Sequence, residues 1–404
     1  MQWLSRVMLK LLIENTLVKV VRMKEGYRFL GEYIRQVDIR NKEGKKENLL
    51  GVSVQKQFIQ SIANTVGTDF TKYKIVKKGQ FTYIPDTSRR GDKIAIALLE
   101  DYEEGLVSNV YTVFEVIDTE KLLPEYLMLW FSRPEFDRYA RFKSHGSVRE
   151  VMDWEEMCKV ELPVPDIEKQ RKIVKAYKTI TDRIALKQKI NDNLANQALA
   201  LFSDFVSQLS KELKQRKLGD VIASANTGGD AIQKVPIVDY DTGIKCARVG
   251  DITNAREYAS WAFCNASKSV YDNYKLQAGD ILVTRTATLG ITQYISKDIS
   301  AVYNNGLIRL KVNDTNALPL YIYWAMKTSD FLNYINQMNS ATSVRPNMKI
   351  DYLLNYQLSI PSIEEQTQFT NAVEPLMNAI SLNNDEILKL SEFQAIILTT
   401  LSSR

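Results

Sequence analysis

The chain has 404 residues, 45% hydrophobic and 25% charged, with 53 Lys plus Arg against 48 Asp plus Glu for a formal net charge of +5. That length and composition allow two or three hydrophobic cores and exclude a disordered or collagen-like chain, while so small a charge surplus neither requires nor forbids an anionic partner. Three widely spaced cysteines, Cys158, Cys246 and Cys264, and one histidine, His145, exclude a disulfide framework and a Cys/His zinc site and suit a reducing, cytoplasmic compartment.

In chain order, residues 1–27 form an N-terminal extension. Its hydrophobic stretch from Trp3 to Val21 is interrupted by Arg6, Lys10, Glu14 and Lys19, which excludes a membrane span. Residues 1–22 either form an amphipathic helix or lie upstream of a natural start at Met23. Residues 28–165 read as a first α/β domain, with β-branched, alternating strands at Lys93–Leu98 and Tyr111–Val116 and a helix over Glu125–Phe142 after Pro124. Pro85-Asp86 and Pro165-Asp166 resemble the opening of a nuclease motif, but no acid-x-Lys follows at suitable spacing, so both read as surface turns.

Residues 166–216 read as a long helix whose a/d seam runs through Tyr177, Ile180, Ile184, Lys187, Asn191, Leu194, Ala198, Leu201 and Phe205. A second domain over 217–361 brings strands at Asp280–Thr284 and Leu307–Val312 and a helix over Leu320–Met338 after Pro319. Residues 362–404 close the chain with a second seam, Val373, Leu376, Ile380, Asn383, Ile387, Leu390, Gln394, Ile397 and Leu401, each 196 residues after its counterpart in the first.

That offset is general. Over residues 147–170 nine identities recur 196 positions later, among them Ser147-Val148-Arg149 with Ser343-Val344-Arg345, Met152 with Met348, and Pro165, Ile167, Glu168 and Gln170 with Pro361, Ile363, Glu364 and Gln366. Background composition would give roughly one or two. Further upstream the offset becomes 195, pairing Leu123-Pro124 with Leu318-Pro319, Tyr126 with Tyr321, Phe136 with Phe331 and Tyr139 with Tyr334. The chain is therefore an internal duplication with variable fronts and shared helical backs.

The recurrent aromatics have helical spacing and read as core rather than as base-stacking platforms. The first long helix carries 11 Lys/Arg against 6 Asp/Glu and the second 2 against 6, opposite signs that favour pairing of the two. Lys187 and Asn383 share one register, a placement that can fix pairing, and the basic stretch Lys169 to Lys178 is expected to face the acidic distal helix. At ~1.5 Å per residue each helix spans roughly 60 Å, enough for a rigid spacer.

No phosphate loop ending in Gly-Lys-Ser/Thr, no Asn/Asp-Pro-Pro-aromatic motif and no Gly-rich cofactor loop is present. No catalytic residue, metal or cofactor is expected, and the chain reads as a bipartite recognition device.

The two segments Leu162-Pro163-Val164-Pro165-Asp166-Ile167-Glu168-Lys169-Gln170 and Leu358-Ser359-Ile360-Pro361-Ser362-Ile363-Glu364-Glu365-Gln366, each following a variable domain, resemble the specificity subunit of type I restriction-modification enzymes. Tyr73 to Gly79 and Val107 to Phe114 are similar to that family's first recognition domain, and the resemblance runs from about residue 28 onward, with the N-terminal 22 residues departing from it. The expected fold is α+β, with two pseudo-symmetric α/β target-recognition domains separated by two long antiparallel coiled-coil helices. The resemblance implies a non-catalytic subunit whose two domains each read half of a split, asymmetric target in double-stranded DNA, with the helices setting the gap. It also implies two copies of a methyltransferase subunit bound to the helices, and a translocase-nuclease subunit joining for cleavage. The alternative on the residues alone is a protein-interaction scaffold with two heads on a helical ruler.

Base reading needs bidentate donors and acceptors in the major groove. The loops richest in them nominate Arg89, Arg90, Lys93, Lys143, His145 and Ser147 in the first domain, and Arg285, Thr286, Thr288, Ser343 and Asn347 in the second. Arg149 and Arg345 hold the same place in both units and so cannot distinguish two half-sites. They are assigned to phosphate positioning, the alternative being structural bonds to the loop or to the start of the helix. Arg89, Arg90 and Arg285 lack such counterparts, as readers of different half-sites should, the alternative being solvated turns. Helix pairing is assigned to Ile180, Ile184, Leu194 and Leu201 with Leu376, Ile380, Ile387, Leu390 and Ile397.

Overall fold

The computed structural model describes residues 26–61, 67–86, 93–144, 150–209, 215–229, 235–256, 258–341 and 347–401, without the side chains of residues 338–341. The expectations for residues 1–22 lie outside them. The chain forms two compact units, residues 1–183 with 390–404, and residues 184–389. No described helix is long and apolar enough to cross a membrane.

The first unit contains β1 (Tyr27–Phe29), β2 (Ile34–Val37), β3 (Ile39–Arg40), β4 (Leu50–Val52), β5 (Phe58–Gln60), β6 (Lys74–Lys77), β7 (Phe81–Tyr83), β8 (Ile96–Leu98), β9 (Glu104–Val107), β10 (Thr112–Val116), α1 (Pro124–Phe131), α2 (Pro134–Lys143), α3 (Trp154–Cys158) and β11 (Glu161–Pro163), and the start of α4 (Ile167–Gln208). Its central antiparallel sheet has the order β2-β10-β7-β8, and β1 pairs with β11. Phe81 and Phe114 stack across the sheet at 4.9 Å with Phe131 of α1 edge-on at 5.7 Å from Phe81, so the alternating apolar residues of the strands meet the helices in one core. A three-stranded sheet β3-β6-β9 and a hairpin β4-β5 are inserted between β2 and β10. The helix expected over Glu125–Phe142 is two helices. Pro134, which has no N–H to donate and clashes with the preceding turn, opens the second.

The second unit contains β12 (Gln215–Lys217), β13 (Ile222–Thr227), β14 (Ile237–Val238), β15 (Lys245–Ala247), α5 (Val249–Thr253), β16 (Phe263–Cys264), α6 (Lys268–Tyr274), β17 (Ile281–Thr284), β18 (Thr292–Tyr294), β19 (Ala301–Tyr303), β20 (Leu307–Val312), α7 (Pro319–Ala325), α8 (Ser329–Ala341), α9 (Ile350–Leu354), β21 (Gln357–Ser359) and most of α10 (Ile363–Thr400). Its central sheet, β13-β20-β17-β18, repeats the order of the first unit, and β12 pairs with β21 as β1 does with β11. The insertion differs, being one sheet, β14-β16-β15-β19, with β15 and β19 parallel. The helix expected over Leu320–Met338 is also divided, here by Thr328, whose Oγ1 accepts from the Phe331 N–H and caps α8.

Small contacts repeat with the topology. Leu30 N–H donates to the Val160 carbonyl, and Leu218 N–H to that of Tyr356, each at 2.8 Å. The Tyr126 hydroxyl donates to the Pro163 carbonyl at 3.1 Å and that of Tyr321 to Ser359 at 2.7 Å. The shared Glu-x-Gln of each long helix has a physical reason. Gln170, fully buried, accepts from Leu123 N–H and donates to the Lys121 and Pro165 carbonyls. Gln366, equally buried, accepts from Leu318 N–H and donates to the Pro361 carbonyl. Each glutamine thus satisfies backbone groups that burial would otherwise leave unpaired. Asp166 accepts from Lys169 N–H at the start of α4, and Ser362 and Glu365 form a reciprocal capping box at the start of α10.

The long helices pair antiparallel within each unit. In the first, Gln394 donates to Thr181 at 2.7 Å, and Leu398 and Leu401 join a core that includes Ile173 and Tyr177. In the second, Lys187 donates to Asn383 at 2.8 Å and pairs with Glu386 at 2.9 Å, beside bonds from Asn191 to Asn384 and from Asn383 to Asn191. This polar layer admits one register and penalises slipped ones. Ile180, Ile184, Leu194, Leu376, Ile380, Ile387, Leu390 and Ile397 are half-buried along the seam.

Leu201 corrects the heptad reading: it is 41% exposed, and Phe202, 3% exposed, points inward beside Tyr321 and Phe369. Near its end α4 packs on the globular core of the second unit as well as on α10, so the inward stripe broadens away from the heptad. Lys169, Lys172, Lys175 and Lys178 are exposed, and Arg171 of the same stretch pairs with Glu168 and Glu120. Lys169 and Lys172 line a pocket with Ile397, Thr400 and Leu401 of α10, so this stretch does border the distal helix, but among the described residues its one ion-paired side chain, Arg171, meets nearby acids rather than those of α10.

Candidate nucleic-acid interface

In each unit the nominated loops leave the fold at corresponding points. Strand β7 ends at Tyr83 and β17 at Thr284. Just beyond, the Met152 N–H donates to the Pro85 carbonyl at 3.0 Å and the Met348 N–H to that of Arg285 at 2.8 Å. Isolated bridges follow, Asp86 with Val151 and Thr286 with Asn347. Both methionines are fully buried. The backbone thus brings together, in both units, the two segments whose residue types suggested DNA contact.

Arg89, Arg90, His145, Ser147, Arg149, Ser343 and Arg345 lie outside the described residues. Lys93 is exposed, as are Thr288 and Asn347, and Thr286 is half-buried. Lys143 is half-buried, its ammonium 3.7 Å from Glu156 and 5.9 Å from the Tyr139 ring. Burial pushes the Tyr139 hydroxyl up to about 12. Arg141 is paired with Glu150.

Arg285 differs from these basic side chains. Its Nε donates to the Met348 carbonyl at 3.1 Å and its Nη1 to the carbonyl and side-chain oxygens of Asn305 at 3.2 Å. Its guanidinium joins the two stems through neutral oxygens, and no carboxylate pairs with it among the described residues, so the loop keeps a full positive charge. Thr284 closes the same loop by accepting from Ile291 N–H and Gly290 N–H, through its side chain and carbonyl respectively. Ala287 has φ +62°, a left-handed conformation unusual for a residue with a Cβ, and a Cβ on Gly290 would lie 3.0 Å from Ile335 of α8. The result is a rigid turn presenting Ala287 and Thr288 to solvent.

Two features escaped sequence reasoning. Phe142, 80% exposed at the end of α2, lies off the face buried through Phe136 and Ala140, and that break in periodicity was the available signal. The other is a buried pair, Lys56 with Asp137, for which no sequence pattern exists. The recurrent aromatics Tyr126, Phe136, Tyr321 and Phe331 are core residues. Among the described residues no group of three or more His, Cys, Asp or Glu side chains could hold a metal ion.

The duplicated architecture has counterparts among known proteins. The family model for the type I restriction modification DNA specificity domain matches residues 21–196 and again 210–392. This chain belongs to that family. As a type I specificity subunit it is 23% identical over 317 residues to the MjaIX specificity subunit of Methanocaldococcus jannaschii, covering 71% of this chain and 70% of that one. It is 28% identical over 134 residues to the HindI specificity subunit of Haemophilus influenzae, covering 33% and 28%. Its fold is similar to the S subunit of a type I restriction-modification system from M. genitalium, with a TM-score of 0.53 at 12% identity over 94% of this chain and 98% of that one.

Proposed function

We propose that this specificity subunit is the sequence-reading, non-catalytic component of a DNA methylation and restriction complex, each unit reading one half of a bipartite asymmetric target. What carries the reading is the recurrence of one clamp, Met152 on Pro85 and Met348 on Arg285, beneath loops of different composition. A shared frame with different contact residues is what two unlike half-sites require. The nominated DNA contacts remain Arg89, Arg90, Lys93, Lys143, His145, Ser147 and Arg149 in residues 28–165, with Thr286, Thr288, Ser343, Arg345 and Asn347 in residues 217–361. Arg285, nominated above as a base reader, has its guanidinium bonded to Met348 and Asn305 and so enters the proposal instead as a positively charged loop support. Helices α4 and α10 fix the gap between half-sites and bind two methyltransferase subunits, which supply the adenine chemistry, and a translocase-nuclease subunit joins for cleavage. Leu186, Leu382, Phe393 and Ile396, each more than half exposed on these helices, offer apolar surface for that docking.

Mapping methylated adenines in the host genome tests the proposal. The expected result is one split motif, whose first half alone changes when residues 28–165 are exchanged for another front. Changes on both sides of the gap would refute the two-reader arrangement. Binding to the deduced duplex should weaken steeply between about 50 and 200 mM salt. Binding that ignores salt would favour a protein-interaction scaffold instead.

A further inference from the structure

Lys56 combines three unusual properties. It sits at φ +63° in the turn between β4 and β5, closed by its N–H on the Ser53 carbonyl, where a residue without a Cβ would be unstrained. Its side chain is 8% exposed. Its ammonium donates to Oδ1 of Asp137 on α2 at 2.6 Å, lies 3.4 Å from the Ile94 carbonyl and sits 5.6 Å from the Phe136 ring. The same Oδ1 accepts from the Ile94 N–H at 3.2 Å. Burial lowers the affinity of Lys56 for its proton, against the pull of Asp137, and the nearby charge of Lys93 adds to the lowering.

The pair joins three separate pieces of chain: the tip of the inserted hairpin, the lead-in to β8, and α2. The β8 lead-in begins at Lys93, an exposed nominated contact, and α2 ends in Arg141, Phe142 and Lys143. Pro85 precedes the β8 lead-in in the chain and Met152 follows α2, and the Met152 N–H donates to the Pro85 carbonyl at 3.0 Å. A buried ion pair adds little stability over apolar residues of similar volume, but its bonds are short and directional. Strain at Lys56 is tolerated only where surrounding contacts over-determine it.

We infer that Lys56 and Asp137 are positioning residues for DNA recognition, holding the inserted hairpin and the β8 lead-in against α2 so that the first unit's contacts meet their bases in register. The inference rests on the proposed DNA-reading function and adds that one buried pair controls discrimination at one half-site only.

The test is selection of the full-length chain, wild type and variant, against a library of duplexes randomised over both half-sites, with the folded fraction measured in parallel. Lys56→Met with Asp137→Leu removes the directional bonds. Lys56→Gln with Asp137→Asn keeps a hydrogen-bonded, uncharged link. The apolar variant should lose about tenfold in base discrimination at one half-site and keep the other, and the amide variant should keep most of both. Unchanged discrimination in the apolar variant, or a loss at both half-sites in proportion to the unfolded fraction, overturns the inference while leaving the DNA-reading function intact. A wild-type chain that selects no sequence overturns the proposed function and this inference with it.

Discussion

In the first unit the loop stems are held by a buried ion pair between Lys56 and Asp137, whereas in the second they are held by Arg285 on carbonyl oxygens and by Gly290 packed against Ile335. The position corresponding to Asp137 at the 195-residue offset is Leu332, 40% exposed. The supporting turns differ in the same way. The Lys77–Gln80 turn is closed by the Gln80 side chain accepting from Lys77 N–H, and the Gln277–Asp280 turn by the Asp280 carboxylate accepting from Gln277 N–H, each with a glycine at positive φ in the third position. Glu115 sits beside Gln80, and Lys311 beside Asp280. The backbone geometry is retained while a neutral Gln80 beside acidic Glu115 is replaced by acidic Asp280 beside basic Lys311. Main-chain geometry and a few shared side chains, Gln170 and Gln366 among them, therefore define the frame, and the remaining side-chain chemistry is left free to differ wherever each unit meets its own ligand.

If the frame is common, damage to it should be felt in both units, in proportion to the bonds lost. Gln170→Leu removes three buried hydrogen bonds and Gln366→Leu two, so the first should cost about 3 kcal/mol and the second about 2 kcal/mol in chemical denaturation. Equal or negligible losses would show that the glutamines do not anchor the long helices. The glycines against the short helices sharpen the comparison. A Cβ on Gly31 would lie 2.8 Å from Cys158 Cβ, and one on Gly219 3.3 Å from Leu354 Cβ. Gly31→Ala should therefore lower the unfolding free energy by about 2 kcal/mol and Gly219→Ala by no more than about 1 kcal/mol.

The duplication and both long helices were legible because they rest on fixed offsets and local periodicity, which need no knowledge of the fold. The break before Pro134 was missed although proline announces it, whereas the break at Thr328 carries no such signal, because a threonine caps a helix only where the chain already turns. Leu201 misled because a heptad assumes a single partner, and Phe202 answers to a second surface. The Lys56–Asp137 pair spans 81 positions and Arg285 reaches Met348 across 63, contacts that no spacing encodes. For the interface, composition identified which loops carry donors, and the fold alone showed that two of them share a stem.

Arg285 separates support from reading. Arg285→Met removes the bonds to Met348 and Asn305 together with an unpaired charge, and should reduce DNA affinity by about tenfold at low salt with a shallower salt dependence. Discrimination should soften in the half-site opposite to the one altered by Lys56→Met with Asp137→Leu. Softening of the same half-site would contradict the assignment of one clamp to each unit.

The smallest expected difference is in pH response. Lys327, in the turn after α7, donates to the Thr292 carbonyl at 2.8 Å, and burial pulls its ammonium down to about 8. The corresponding position in the first unit at the same offset is Ser132, which does not titrate and donates to the Met128 carbonyl. Because the folded form holds the proton more weakly than the unfolded chain, it binds fewer protons between about pH 8 and 10.5, and stability rises with pH across that window. Below it the penalty of the buried charge is fully present. Wild type should thus gain about 1 kcal/mol between pH 8 and 9 relative to Lys327→Met, since one group contributes at most about 1.4 kcal/mol per pH unit. Taking the difference between the two proteins removes the opposing contributions of Tyr126 and Tyr321, whose hydroxyls burial pushes upward. A constant difference across pH 8 to 9 would mean that Lys327 keeps its ordinary proton affinity, and that the second unit opens enough at this turn to let water reach it.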